Sequence, residues 1–429
     1  MYNKIKNIVS KTDLFLFKLF GSEKNVKFLE NLKEAKELFS YLNQIGEENK
    51  VKFVGGCVRK VLSAEIVDDI DLATTLEPNE VKKKLNKKNI KVIDTGISHG
   101  TVTAILNQIK FEITTLRKDV STDGRHADVK FTTNWEQDAL RRDFTINAIY
   151  ADLDGRFFDP QNGISDLKNG KVKFIGSPDD RIQEDYLRIL RYFRFFTQYS
   201  KKEHDQEVMQ SIKKNVNGIN KISKERIFDE LKKIFSLKNV TQLFNLKESR
   251  EIFLNIFPQL KYYERLKKLN NKLKDKFDST LIMASLIVDQ SDNYGYFCYK
   301  YKTSNVIKKR FENISNNFEN LKKKEFYSEK NIKKMTYFIG KDNVRDLLLF
   351  SALINNKIND SDIIKLLDYV NFLKVPKFPL SGDDLKKFGY ESGEIMGKKL
   401  KLLEEEWIEN NFILDDKTLK KNLNKFNKN

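Results

Sequence analysis

Between Val51 and Thr74 the chain runs through a short apolar stretch, two glycines, a basic segment and two aspartates two positions apart, Asp69 and Asp71. Few folds accommodate that order. Val51-Lys52-Phe53-Val54 predicts a strand ending at Gly55-Gly56, and Ile70-Asp71-Leu72-Ala73 predicts another. Residues i and i+2 of a strand point to one face, so Asp69 and Asp71 aim two carboxylates at one place. Paired carboxylates of that kind suit hard divalent cations. Glycines after a strand let backbone approach a phosphate, and Arg59 offers a planar fork for its oxygens. The combination implies metal-dependent phosphoryl or nucleotidyl transfer. The plain alternative is a solvated acid pair at a strand end beside an ordinary glycine turn.

On either side of this unit the pattern changes in kind. Phe28, Leu32, Ala35, Leu38, Phe39, Leu42 and Ile45 recur at helical spacing before the first strand, and Gly46 supplies a stop. From there to about Asp159, β-rich runs (Lys91–Ile93, Gly100–Leu106, Lys110–Leu116, Val129–Thr132, Ile146–Leu153) alternate with turns and one lysine-rich helix, Asn79–Lys88. Past Asp166 the strand signal fades. Pro178 precedes a long helical run, Asp180–Tyr199, and amphipathic helix rich in Lys, Leu and Phe follows. The expected fold class is therefore α+β: a head with a mixed sheet, residues 1–165, then helical segments over 166–235 and 236–429.

Further candidates lie along the head. Glu112 is either a third acid of the metal site or a surface charge on its strand. The polar stretch Lys118–Val129 reads as a mobile loop beside the acids, with a plain hairpin as the alternative. Arg142 and Asp143, with Arg141 and Asn147 nearby, suit a triphosphate clamp with Asp143 accepting from a ribose hydroxyl; an internal ion pair is the bland reading. On one continuous helix, Asp185, Arg188 and Arg191 stand three apart, and Glu184 and Arg188 four apart, so all reach one side, with Arg194 a turn further on. A carboxylate accepting from an exocyclic amine, beside a guanidinium donating to a ring nitrogen, matches cytosine and adenine and rejects uracil and guanine. Asp185 and Arg188 have the chemistry for that; a salt-bridged helix surface is the alternative. His204-Asp205 reads as a surface pair. With only 3 histidines, acid–base catalysis by imidazole is disfavoured.

A net charge of +18 points to a polyanionic partner, although the Lys- and Asn-rich composition also fits an AT-rich genome. Cys57 and Cys298 lack metal-site spacing and cannot build a disulfide framework, which favours a reducing cytoplasm and no disulfide partner. The apolar stretch Leu14–Phe17 is cut by Lys18 and is too short to span a membrane.

Taken in order, GGCVR with DID, the strands His99–Ala104 and Phe111–Arg117, Arg141–Ala148, Phe158–Gly176 and Glu184–Phe195 resemble the class II CCA-adding enzymes. These are the tRNA nucleotidyltransferases that share a head with bacterial poly(A) polymerases. The resemblance covers about Val51 to Phe196 and is looser beyond, at Lys224–Ile227 and Ile256–Pro258. It implies a nucleotidyltransferase palm followed by all-helical neck, body and tail that grip the tRNA 3′ end, with CTP and ATP as substrates. By position, Asp69 and Asp71 become Mg²⁺ ligands. Gly55, Gly56 and Arg59 contact the nucleotide, Arg142, Asp143 and Asn147 its phosphates and ribose, and Glu184, Asp185, Arg188, Arg191 and Arg194 its base and phosphates. The Lys118–Val129 stretch looks like the flexible loop such enzymes need for the final A. One position departs: Lys60 stands where an acid usually follows GGxVR, which implies a local change of ion pairing. Poly(A) polymerase, a split enzyme adding only A, and an inactive RNA-binding relative remain the alternatives.

Overall fold

The structure, a computed structural model, describes residues 32–43, 50–122, 127–269 and 272–413, with side chains from 119 to 128 outside that set. Phe28, Ile45, Gly46 and the tip of the expected loop therefore lie outside the described residues. The chain divides into two compact units, Met1–Phe257 and Pro258–Asn429.

The first unit is built on a seven-stranded mixed sheet of order β3-β4-β5-β2-β1-β8-β9. Its strands are β1 (Val51–Val54), β2 (Ile70–Thr74), β3 (Lys91–Gly96), β4 (Thr101–Leu106), β5 (Ile109–Thr115), β8 (Tyr150–Ala151) and β9 (Phe157–Phe158). β1 is central, antiparallel to both β2 and β8, so its residues are buried on both faces except Lys52. β2 pairs in parallel with β5, placing Asp71 beside Glu112. A parallel pair needs a long connection. Helix α3 (Pro78–Asn86), entered through a Glu77/Glu80 capping box with proline at its start, and the β3–β4 hairpin fill it. Helix α1 (Lys33–Leu42) covers the sheet with Ala35, Leu38, Phe39 and Leu42, one stripe at helical spacing, and the Phe39 ring lies 4.8 Å from that of Phe53. Leu38, Phe39 and Leu42 each contribute about 1.5–3 kcal/mol by leaving water.

Gly55 turns β1 into helix α2 (Gly56–Leu62) at φ +69, where side chains other than glycine are strained. The expected loop at Lys118–Val129 is a two-stranded ribbon of β6 (Arg117–Thr122) and β7 (Ala127–Phe131), which leads into helix α4 (Trp135–Leu140). The run Ile146–Leu153 contributes only the short β8, because a 3-10 turn takes Thr145–Asn147.

Helices α5 (Gly163–Lys168), α6 (Pro178–Glu184), α7 (Leu187–Tyr199), α8 (Gln206–Asn215), α9 (Lys224–Phe235), α10 (Thr241–Asn245) and α11 (Lys247–Ile256) complete this unit. The helical run from Asp180 does not continue to Tyr199; it breaks at Asp185, whose backbone is extended at φ −154. Nor is His204 on the surface. It is 8% exposed, stacked on Phe196 at 3.7 Å between ring centroids, and hydrogen-bonded to the Tyr192 hydroxyl (3.0 Å) and Ser249. Asp205 alone keeps a surface task, capping α8 through the Glu207 and Val208 N–H groups.

Burial pushes the His204 imidazole down to about 4. An imidazole free in the unfolded chain takes its proton near pH 6.5, so between those values the unfolded state binds more protons and stability falls as pH falls. We expect the unfolding free energy of the protein to drop by about 2 kcal/mol more between pH 7 and pH 4 than that of His204→Phe, measured by urea titration. Parallel pH dependences would show that the site is not desolvated.

The second unit is helical: α12 (Ser279–Ile287), α13 (Asn293–Lys300), α14 (Asn305–Asn317), α15 (Glu329–Ile339), α16 (Lys341–Ile354), α17 (Asp360–Phe372), α18 (Gly382–Lys386) and α19 (Glu394–Glu409). Every residue of α12 from Leu281 to Ile287 is buried, the mark of a central helix. Arg310 ties Asp278, the N-cap of α12, to Asp346 of α16, at 2.8 and 2.7 Å. Among the described residues no helix is long and apolar enough to cross a membrane.

Candidate active site

The residues proposed above to bind the nucleotide or the cation, Glu112 and Glu184 excepted, line one cleft of about 690 Å³ in the first unit. The β1–α2 turn forms its floor. A Cβ at Gly56 would stand 3.6 Å from Asp71 Oδ2 and 4.0 Å from Asp69 Oδ2, so these two oxygens flank one point on the helix start. Burial, then the charges of Asp69 and Glu112, push the Asp71 carboxyl up to about 6, against the pull of Arg142 and Lys60. Burial acts on Asp69 in the same sense, but hydrogen bonds with Asp68 and Lys60 overcome it and hold that carboxyl below its ordinary value. Two hard oxygens beside a repelled negative charge fit a divalent cation. Among the described residues no group of three or more Asp, Glu, His or Cys side chains could hold a metal. A cation here would therefore take its other ligands from substrate phosphates and water, as Mg²⁺-like ions do. Glu112 neighbours Asp71 in the sheet and acts on it through charge, without completing a three-acid cluster.

The Arg141–Asn147 segment is ordered by internal pairs. Asp138, a residue sequence reading missed, is 1% exposed and holds Arg141 (2.8 Å), Arg142 (3.0 Å) and the Tyr150 hydroxyl (2.7 Å). Burial opposes its ionisation, yet Arg142 and Arg141 keep it well below the usual carboxylate range. Asp143 does not pair with Arg142. Its Oδ2 accepts from Arg191 at 2.6 Å and its Oδ1 from Asn147 at 2.8 Å, so Arg191 and Asn147 outweigh burial and keep it ionised. Asn147 in turn accepts from Arg59.

Arg59 likewise turns inward. It is 6% exposed, donates to the Tyr199 hydroxyl at 3.1 Å and lies over the Phe195 ring at 4.7 Å, so it ties α2 to α7 behind the cleft wall. Arg194 is paired with the buried Glu230 of α9.

The break at Asp185 alters the expected row of charges. Asp185 Oδ1 accepts from the Leu187 N–H at 3.1 Å, opening α7, and Oδ2 accepts from Arg226 of α9 at 2.7 Å. Arg188 pairs with Glu184 at 2.5 Å and donates to the Arg181 carbonyl at 2.8 Å, both through Nη1. Asp185 and Arg188 thus share the cleft without sharing a bond. Glu184 braces Arg181 and Arg188 from outside the cleft lining. Arg117, Arg226 and Lys60 were also missed as site residues, although Arg117 and Arg226 fall within the matched runs Phe111–Arg117 and Lys224–Ile227 and Lys60 stood out as a departure. Ten lysines and arginines line the cleft against five aspartates, a balance suited to a triphosphate.

Lys60 accounts for its departure from the usual acid. Its Nζ bonds Asp68 and lies 2.7 Å from Asp69 Oδ1.

The family described as "Poly A polymerase head domain" matches residues 51–173, and "Probable RNA and SrmB-binding site of polymerase A" matches residues 204–264. The chain is 36% identical over 409 residues to the mitochondrial CCA tRNA nucleotidyltransferase 1 of Mus musculus, covering 94% of this chain and 92% of that one. It is 30% identical to a CCA-adding enzyme of Lactobacillus delbrueckii over 88% and 93% of the two chains. Among solved structures, the Bacillus stearothermophilus CCA-adding enzyme in complex with CTP superposes with a TM-score of 0.66 at 21% identity, covering 88% and 93%. The Thermotoga maritima CCA-adding enzyme complexed with tRNA gives 0.64 at 19%, covering 95% and 98%.

Proposed function

The chain belongs to the CCA-adding enzymes of the tRNA nucleotidyltransferase and poly(A) polymerase family, and from that premise we propose that it adds CMP, CMP and AMP from CTP and ATP to the 3′ end of tRNA. In each cycle the tRNA 3′-hydroxyl attacks the α-phosphorus, a new P–O bond forms, the α–β bridging bond breaks and pyrophosphate leaves. The observation that carries the reading is the pair of carboxylate oxygens flanking Gly56 inside a cleft dominated by arginine.

Asp69 and Asp71 would hold the cation, which we take to be Mg²⁺ because both donors are hard oxygens. Such an ion lowers the pKa of an attacking hydroxyl and offsets triphosphate charge. Gly55 and Gly56 leave room for phosphate against backbone. Arg142 and Arg191, oriented by Asp138 and Asp143, present their remaining donors to the triphosphate. Asp185 and Arg188 select the base. Residues 1–165 serve as head, 166–235 as neck, and 236–429 as body and tail, whose lysines bind tRNA by backbone and shape. Cys57 and Cys298, both buried and unpaired, suit a reducing cytoplasm.

Incubation with tRNA lacking its CCA end, first with each nucleotide alone and then with CTP and ATP together, is expected to yield three additions in the order C, C, A. A long A tail, or addition of A only to tRNA already ending in CC, would replace this reading with one of its relatives.

A further inference from the structure

Lys60 is set apart from the other cations of the cleft by what it touches. Arg142 is held by Asp138, Arg191 by Asp143 and Arg194 by Glu230, whereas Lys60 sits on one of the two carboxylates that flank the Gly56 floor. Gly56 and Lys60 are four residues apart on α2 and so lie on one face of that helix. The Asp69 carboxylate is thereby divided: Oδ1 accepts from Lys60 at 2.7 Å, and Oδ2 lies by the floor at 4.0 Å from the Gly56 Cβ position. A second bond, to Asp68, also holds the ammonium, and the Lys60 side chain is 18% exposed.

From this arrangement we propose that Lys60 is a positioning residue that sets how tightly the site holds its divalent cation: a tethered positive charge that orients Asp69 but weakens the ion's attraction to it. The inference rests on Asp69 and Asp71 being the cation's ligands. Two effects of Lys60 oppose each other. Fixing one carboxylate rotamer favours binding, but only by the small entropy of a single short side chain. A unit charge bonded to the same carboxylate repels a divalent ion across a few ångströms of partly desolvated cleft, and that effect is larger. The consequence is an ion that binds the protein alone poorly and binds well only with the charge of a nucleotide triphosphate beside it.

The test is the affinity of the full-length protein for Mn²⁺ alone, read from the electron paramagnetic resonance of unbound Mn²⁺, at low and high KCl. Lys60→Met is expected to bind about fivefold to tenfold more tightly than the unaltered protein at low salt, with the gap narrowing as KCl rises. Lys60→Arg should restore the weak binding, because it restores the charge. Asp71→Asn in the unaltered background should abolish the Mn²⁺ site. If Asp71→Asn leaves Mn²⁺ binding intact, the two-aspartate reading fails, and this inference with it. If Asp71→Asn abolishes binding but Lys60→Met binds no more tightly than the unaltered protein, only the role given to Lys60 is overturned. Thermal unfolding of each variant separates these results from loss of the fold.

Discussion

Replacing Asp71 by alanine is expected to lower incorporation into tRNA by about 10³-fold or more, while tRNA affinity should change by less than about twofold. The size follows from what the carboxylate faces. Asp71 and Asp69 present the oxygens nearest the glycine floor, and with no three-acid group among the described residues no neighbour can take over the cation. Losing one ligand of two costs several kcal/mol of transition-state stabilisation, and each 1.36 kcal/mol is about tenfold. On the proposed function tRNA is held by phosphate-backbone contacts spread over many lysines, so a single half-buried acid adds little to them.

The same environment shows that lost activity would not be lost structure. Burial and the charges of Asp69 and Glu112 push the Asp71 carboxyl up to about 6, so its ionised form is a cost to the folded state at neutral pH. Because the folded value lies above the unfolded one, the stability this group contributes is present at acid pH and is lost as pH rises through about 6. With divalent ions chelated, Asp71→Asn should therefore melt no lower than the unaltered protein at pH 7.5. Activity retained in either variant would remove Asp71 from the chemistry.

Much of this centre could be read from residues close together in the chain. The β1–turn–α2–β2 unit is local: two glycines, an apolar run and an i, i+2 acid pair favour this arrangement over a plain turn, and the cleft is built on it. What stayed hidden was partnership at long range. Arg59 and Tyr199, Arg194 and Glu230, and Asp185 and Arg226 are joined by folding alone, and periodicity carries no trace of which acid meets which base. The break at Asp185 was invisible for a related reason. Helical spacing is satisfied on both sides of it, and only the bond from Asp185 Oδ1 to the Leu187 N–H, with Arg226 on Oδ2, marks a new helix start. His204 was misjudged because a histidine before a capping aspartate looks solvent-facing until Phe196 is seen stacked on it.

Asp185 and Arg188, proposed above to select the base, flank that break, and the double variant Asp185→Ala with Arg188→Ala tests their role. Preference for CTP over UTP, and for ATP over GTP, should collapse from about 10³-fold or more to less than about tenfold, with slow incorporation remaining. Unpaired groups set the size of the effect. A buried carboxylate facing a carbonyl, or a guanidinium facing an N–H, leaves both partners unsatisfied, which costs far more than the fit of one base over another gains. Asp185 and Arg188 each carry protein partners, and those partners are compatible with the task. Arg188 makes both of its bonds through Nη1, which leaves the Nε and Nη2 donors for a ring nitrogen. Asp185 gives one oxygen to the helix start and the other to Arg226, a cation that a base amine can replace as donor. Alanine at 185 also removes a helix-opening bond worth about 1 kcal/mol, so Asp185→Asn, whose amide oxygen can still accept from Leu187, is the companion that separates selection from folding. If C and A are still chosen over U and G by a folded double variant, the choice is made elsewhere in the cleft.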